Sequence, residues 1–437
     1  MGYALIALAA VMFGIVIWKA WAGALGIVAI GALLGSFAAF WVGRKKIDKG
    51  PRGSIDMVAK VIFTFVGIMA LLRHPIDVEE GVRAPIYEAI ALYIDQVDTG
   101  TFLLWASVAM GVKFIGVISS AFAWHLLLKG QGIRYPFWSK IMTAFLIGRF
   151  IGTFLPSTIG LDGYTLYEAG RYSNQWPRAI TAKALEKFIG VTGLFLGMVV
   201  TMPFGYQVIV DVTTKMGEPD KAPLLAGAIA AVAGGISLVV IVGLVWPDII
   251  VFFARLAERI LGGVGPLKKI VGLLNQFTNA VGAYRGKVGL LMSALLAKFV
   301  THFTTAAVYF FTALAIGVTT AEFWPITFGS TIQILATLLS PTIAGEGARE
   351  AFQALLLSEQ LGGVAQAVLS GALGFIAAEA ATLWGGMFLW TRRAGWRPRF
   401  AEVDGEQVDY AWIDDDDDGG FDAEKIEKAR AEHAGKA

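Results

Sequence analysis

Cysteine is missing from all 437 residues, so disulfides, thiol catalysis and cysteine-ligated metal are excluded. Histidine is scarce: the four copies are scattered, and none pairs at metalloprotease spacing. No Gly-Lys-Thr phosphate loop occurs, so the chain encodes no ATP-driven step. Charged residues make up only 16%, below the usual quarter. The net charge of +2 carries no nucleic-acid signal, because the charges are sorted by loop. No polar stretch is long enough for a second globular catalytic domain. The first 20 residues lack a basic leading segment, so they are expected to be a span and not a cleaved signal.

Apolar residues, by contrast, are abundant. They make up 56% of the chain, and the mean hydropathy is +0.64. Several apolar runs of about 20 residues predict an all-α polytopic membrane protein. Residues 2–17 and 24–42 read as two spans joined by a turn at Trp18 to Trp21. Arg44, Lys45, Lys46, Lys49 and Arg52 then place the following loop in the cytoplasm. Residues 55–72 cross outward. Residues 74–100 hold Asp77, Glu79, Glu80, Glu88, Asp95 and Asp98 against Arg83, which suits the outside. Ile86, Ile90, Tyr93, Ile94 and Val97 share one face there and predict a helix lying on the membrane surface.

The remaining spans are 101–128, 189–204, 222–246, 288–316 and 364–390. Residues 248–287 are basic with apolar stripes and predict interfacial helices on the cytoplasmic side. The tail from Ala401 carries Asp414 to Asp418 in a row and is expected to be solvated and disordered. Three units result: 1–54 with two extra spans and a basic loop, 55–400 as the main membrane domain, and 401–437 as an acidic tail. The expected location is the cell membrane, inner or plasma, with both termini cytoplasmic.

Two stretches cannot be ordinary spans. FLPSTIGLDGYTLYEAGR (154–171) and LSPTIAGEGAREAFQ (339–353) both run proline, small and hydroxyl residues, glycine, then an acid followed by glycine. Interrupted apolar segments in the two halves of a membrane protein predict a binding site near the midplane. Loop charges put both ends of the first on the cytoplasmic side and both ends of the second outside. The fold expectation is therefore about eight full spans plus two re-entrant broken-helix hairpins, related as inverted repeats.

Half-helix N-termini opened by Gly163 and Gly347 would carry partial positive charge and free N–H groups, which suit a phosphate. Asp162 and Glu346 would either cap those helices or line a headgroup cavity and meet a cation. Arg349, Lys183 and Arg149 are the candidate phosphate partners, and a snorkelling role at the interface is as good an account of Arg149. Glu350 joins the same candidate set. Lys113, Lys298, His302 and Glu379 lie within spans, where ionisable groups are expensive and face a partner or a cavity. Glu379 could neutralise Lys113 or Lys298 in an internal ion pair, or it faces the cavity. Glu186 is a candidate too, although a surface ion pair with Lys187 at the start of a span is the simpler reading.

The segments AWHLLLKGQGIRYPFW (123–138), IGRFIGTFLPSTIGLDGYTLYE (147–168), AITAKALEKFIG (179–190) and SPTIAGEGAREAFQALLL (340–357) together resemble the lysylphosphatidylglycerol synthase transmembrane (flippase-like) family. The resemblance runs from about residue 60 to 393. After the first proline that family often carries Gly-Gly-Asp-x-x-Arg, where this chain has Gly160-Leu161-Asp162-Gly163-Tyr164-Thr165. Full-length members attach a soluble aminoacyl-transferase domain, which this sequence lacks. The resemblance implies a stand-alone membrane unit that binds a phospholipid or lipid-linked headgroup and translocates it through a polar midplane cavity. It implies no enzyme, no cofactor and no metal. The expected partner is a membrane lipid and not nucleic acid. A homo-oligomer and a cytoplasmic partner for the acidic tail stay open. Two other classes stay open as well: an intramembrane lipid-modifying enzyme using Asp162 and Glu346 as paired carboxylates, and a small-solute secondary transporter.

Overall fold

The computed structural model describes residues 2–21, 27–47, 52–79, 82–154, 159–249, 252, 265–391, 400–403 and 406–409. Its first unit is a three-helix bundle of α1 (Gly2–Trp21), α2 (Ile27–Lys45) and α3 (Arg52–Leu72). Phenylalanines make its core: Phe13 meets Phe37 and Phe63 at 5.5 Å between ring centroids, and Phe40 meets Phe63 at 5.2 Å. Gly67 lies against the Phe13 ring, so the aromatic side chain fills the space a larger residue would take. Trp18 to Trp21 belong to α1 and not to a turn, because the helix continues to Trp21.

The acidic segment that follows is folded onto protein. Strands β1 (Pro75–Glu79) and β2 (Val82–Pro85) form an antiparallel hairpin in which Asp77 faces Arg83 and pairs with it at 2.7 Å. Helix α4 (Ile86–Ile94) buries Ile86 fully, and the Tyr93 hydroxyl donates to the Ile316 carbonyl at 2.8 Å. The expected membrane-surface helix is thus corrected: Ile86, Ile90, Tyr93 and Val97 pack into the protein core, and of that set Ile94 is exposed.

Long helices build the centre. They are α5 (Thr99–Gly130), α8 (Trp176–Thr201), α10 (Ala222–Val245), α12 (Val288–Ala315) and α15 (Val364–Leu383), with α9 (Tyr206–Lys215) and α11 (Gly265–Gly282) between them. Asp98 caps α5 by accepting the Thr101 N–H at 2.7 Å, which holds its carboxyl below the usual range. That contribution is present above the ordinary carboxylate pKa and is lost as pH falls. Five of the described helices are long and apolar enough to cross a membrane: Thr99–Gly130, Trp176–Thr201, Pro219–Val245, Val288–Ala315 and Val364–Thr391. Gly2–Val16 and Met57–Leu72 are shorter apolar stretches. The expected span 189–204 falls largely in the second half of α8, which begins thirteen residues earlier, so Lys183 and Lys187 lie inside the same continuous helix.

Both interrupted stretches are pairs of short helices. After a π-helical turn at Phe137–Met142, α6 (Thr143–Phe154) packs tightly on α7 (Ile159–Ser173). Gly148, Gly152 and Gly160 make that approach: a Cβ on Gly160 would sit 2.5 Å from the Gly152 nitrogen. Pro156 lies outside the described residues. In the second half, α13 (Phe323–Leu339) ends before a break at 340–347, and α14 (Ala348–Leu357) follows. Gly345 and Gly347 hold φ of 75° and 79° there, a conformation that favours glycine. The first half-helix opens at Ile159, so Gly163 lies within α7 instead of starting it. The chain closes with α16 (Gly386–Thr391) and a hairpin of β4 (Phe400–Val403) and β5 (Glu406–Asp409). Strand β4 pairs with β3 (Ile133–Arg134), so the first part of the expected disordered tail is docked. Asp414 to Asp418 lie outside the described residues.

The glycines separate two kinds of position. Gly160→Ala should lower the melting temperature by forcing α6 and α7 apart, a loss of about 1–3 kcal/mol. Gly163→Ala meets nothing within 4 Å and should be neutral or stabilise by up to about 1 kcal/mol. Thermal unfolding of the detergent-solubilised variants checks the pair, and equal effects would refute the close-approach account.

Candidate functional site

Five charges gather where α7, α8 and α12 meet. Glu186 is 5% exposed and sits between two lysines. Lys183 Nζ donates to its Oε2 and Lys298 Nζ to its Oε1, each at 2.6 Å. Lys183 also reaches the Thr165 hydroxyl at 2.9 Å and lies 4.0 Å over the Trp124 ring. Lys298 adds the Ser120 hydroxyl at 2.8 Å. Asp162, in the first turn of α7, pairs with Lys187 and lies 3.7 Å from Lys183. Three lysines against two carboxylates leave one net positive charge. Lys187 is its exposed edge, at 53%. The α8–α12 contact that allows this depends on Gly193, whose Cβ would fall 2.8 Å from the Lys298 carbonyl carbon.

A second charge group follows the break before α14. Arg349 donates to Glu350 Oε1 through Nε at 3.0 Å and Nη2 at 2.6 Å, and its guanidinium lies 4.1 Å from the Phe375 ring centre. The other oxygen of Glu350 accepts the Gly347 N–H at 2.7 Å. Glu350 is therefore the cap of α14, and Glu346 is not.

The third group lines an open cleft of about 300 Å³. Glu346 comes from the break, Glu379 from α15, and Thr153 and Phe154 from the end of α6. Arg149 donates to Glu379 Oε1 at 2.9 Å and to the Ala378 carbonyl at 3.2 Å, and Thr153 donates to Glu379 Oε2 at 2.6 Å. Apolar walls surround the carboxylates: Met57, Ile376 and Leu383 line the cleft and are exposed.

Several expectations change on this geometry. Glu186 is not in a surface pair with Lys187, because the continuous helix α8 carries it into the interior, where two lysines bind it. Glu379 bonds neither Lys113 nor Lys298: Arg149 and Thr153 hold it, while Lys113 donates to Thr305 at 3.0 Å. Arg149 is tied to α15 through Glu379 and the Ala378 carbonyl. Asp162 and Glu346 have separate neighbours, the first among the lysines and the second in the cleft beside Glu379. The hydroxyls of Ser120, Thr153 and Thr165, and the Met57 wall, were missed at the sequence level. Hydroxyl residues bond their own helix so often that their sequence positions carry little signal.

Long apolar helices, two broken-helix pairs and buried compensated charges define a polytopic helical membrane protein with polar interior sites. The family model for the lysylphosphatidylglycerol synthase TM region matches residues 87–388, and the chain belongs to that family. No curated protein and no solved structure matches the chain. Among the described residues no cluster of three or more metal-ligating side chains occurs.

The Glu186 pairings can be measured. Glu186→Gln leaves Lys183 and Lys298 buried with their shared carboxylate gone, and stability should fall by about 3–5 kcal/mol. Adding Lys298→Met to it should recover part of that loss. A double-mutant cycle by denaturant unfolding in detergent checks this, and strictly additive losses would refute the coupling.

Proposed function

We propose that this protein binds a phospholipid or lipid-linked headgroup in the cleft beside Glu346 and Glu379 and translocates it across the bilayer. The observation that carries this reading is the cleft itself: two carboxylates set in an open cleft among exposed apolar residues. Apolar walls suit acyl chains. The carboxylates can accept hydrogen bonds from headgroup N–H or O–H donors, which would otherwise be costly to desolvate.

The two broken-helix pairs support a route through the protein. Helices α6, α7, α13 and α14 have 12, 15, 17 and 10 residues. At about 1.5 Å per residue, each is shorter than a hydrocarbon core of about 30 Å. We therefore read both pairs as re-entrant hairpins entering from opposite faces as inverted repeats, with both termini in the cytoplasm. The protein is a transporter and not an enzyme in this reading, and it resides in the cell membrane.

Lipid exchange in reconstituted vesicles tests the function. Tail-labelled phospholipid should cross in vesicles holding the wild type. Glu346→Gln with Glu379→Gln should slow exchange at least about tenfold, while the protein still inserts and stays monodisperse; such a factor corresponds to about 1.4 kcal/mol. A chemically altered lipid would favour an intramembrane enzyme, and solute uptake without lipid movement would favour a secondary transporter. Wild-type rates in the double variant would refute the cleft as the site.

Orientation has its own test, made clean by the absence of native cysteine. Single cysteines at Lys46, Arg134, Lys268 or Arg397 should react with an impermeant reagent from the cytoplasmic side, and those at Glu80 or Glu218 from outside. Cytoplasmic labelling at Glu218 would rule out the re-entrant arrangement of the first pair.

A further inference from the structure

We infer that α3, which lies outside the family-matched region 87–388, is one wall of the lipid cleft in this protein, and that Met57 sets how large a headgroup it admits. The inference rests on the cleft being the lipid site, as proposed above.

Three contacts tie α3 to the second broken helix. The Thr64 hydroxyl accepts the Ile343 N–H at 2.8 Å, a backbone donor in the break. Gly347 presses on the α3 backbone: a Cβ there would lie 3.1 Å from the Ile68 nitrogen and 3.3 Å from the Gly67 carbonyl carbon. One helical turn or more before Thr64, Met57 forms the cleft wall together with Glu346 and Glu379. The same helix that satisfies the break therefore bounds the space next to it.

The rest of the bundle gives α3 a fixed position. Phe63 packs between Phe13 and Phe40 on the side of α3 turned to α1 and α2, and Gly67 sits on the Phe13 ring. The opposite side carries exposed Val58, Val61, Ile62 and Phe65, which suit acyl chains. Met57 stands at the edge between these sides and is 48% exposed. A methionine there is unbranched and adaptable, so it can yield to a headgroup without loss of packing behind it. A cleft of about 300 Å³ is at the lower end of ligand pockets, so one side chain in its wall is a large part of its width.

The experiment compares two tail-labelled lipids, phosphatidylethanolamine and phosphatidylinositol, in phosphatidylcholine vesicles. Met57→Trp should lower the inositol-to-ethanolamine rate ratio about tenfold, and Met57→Ala should raise it, the scale at which pockets sort ligands by small size differences. An unchanged ratio in both variants overturns the inference. A photoactivatable phospholipid gives a readout independent of transport. It should crosslink to the α3 peptide holding Met57 and to the α15 peptide holding Glu379, and Met57→Trp should reduce the α15 adduct. Crosslinking with that dependence but no exchange by the wild type would sink translocation and keep α3 as the wall. Crosslinking to α15 without α3 would overturn the wall, whatever the exchange rates.

Discussion

Glu186 held between Lys183 and Lys298 is the constraint on which the first half of the membrane domain depends. Moving such ions out of water costs several kcal/mol each after relaxation, and that cost is offset only when each charge finds an opposite charge and hydrogen-bonding partners. The partners come from four helices. Ser120 and Trp124 belong to α5, Thr165 and Asp162 to α7, the carboxylate and one lysine to α8, and the other lysine to α12. A shift of any one of these helices would take a partner from a buried charge. The cluster thus fixes where the short helix α7 stands, and through the glycine contact at 148, 152 and 160 it fixes α6 as well.

The second half meets the same problem with backbone groups. A break in a helix frees N–H and C=O groups that lipid cannot satisfy. Glu350 takes the Gly347 N–H and Thr64 takes the Ile343 N–H. Arg349 is compensated by Glu350 and by the face of Phe375. Glu346 and Glu379 then remain as the acidic groups of the cleft, the latter tied to Arg149. The two breaks look alike as sequence yet differ in solution. The helix after the first is held by lysines of α8, and the second break is capped by its own Glu350 and braced by α3.

Pattern carries information within one element but not between elements. The period of α4 was readable from Ile86, Ile90, Tyr93 and Val97, and its apolar face is real; a chain pattern cannot tell lipid from protein as the cover, and protein covers it. Arg171, Arg178, Lys183 and Lys187 read as a cytoplasmic-side signal because positive charge in hydrocarbon is costly. Lys183 is compensated by Glu186 three residues on and by Asp162 on α7, and Lys187 by Asp162, while Lys298, more than a hundred residues away, shares Glu186. Trp18 to Trp21 read as a turn by polarity alone, while helix α1 continues through them. The tail read as disordered by composition, yet β4 finds an edge at Ile133 and Arg134 that belongs to a distant segment.

The amino-acid sequence by itself determined the class of protein, the family, and the position of the break before α14. These rest on local chemistry: runs of apolar residues long enough for a bilayer, and proline and glycine at places where a helix cannot continue. Tertiary structure alone decided which charge neutralises which. It pairs Lys298 with Glu186 and Arg149 with Glu379, and it separates Asp162 from Glu346. The reason is physical. A buried charge is stabilised by whatever opposite charge lies within a few ångströms, and in a helical bundle that distance is set by packing between helices and not by separation along the chain.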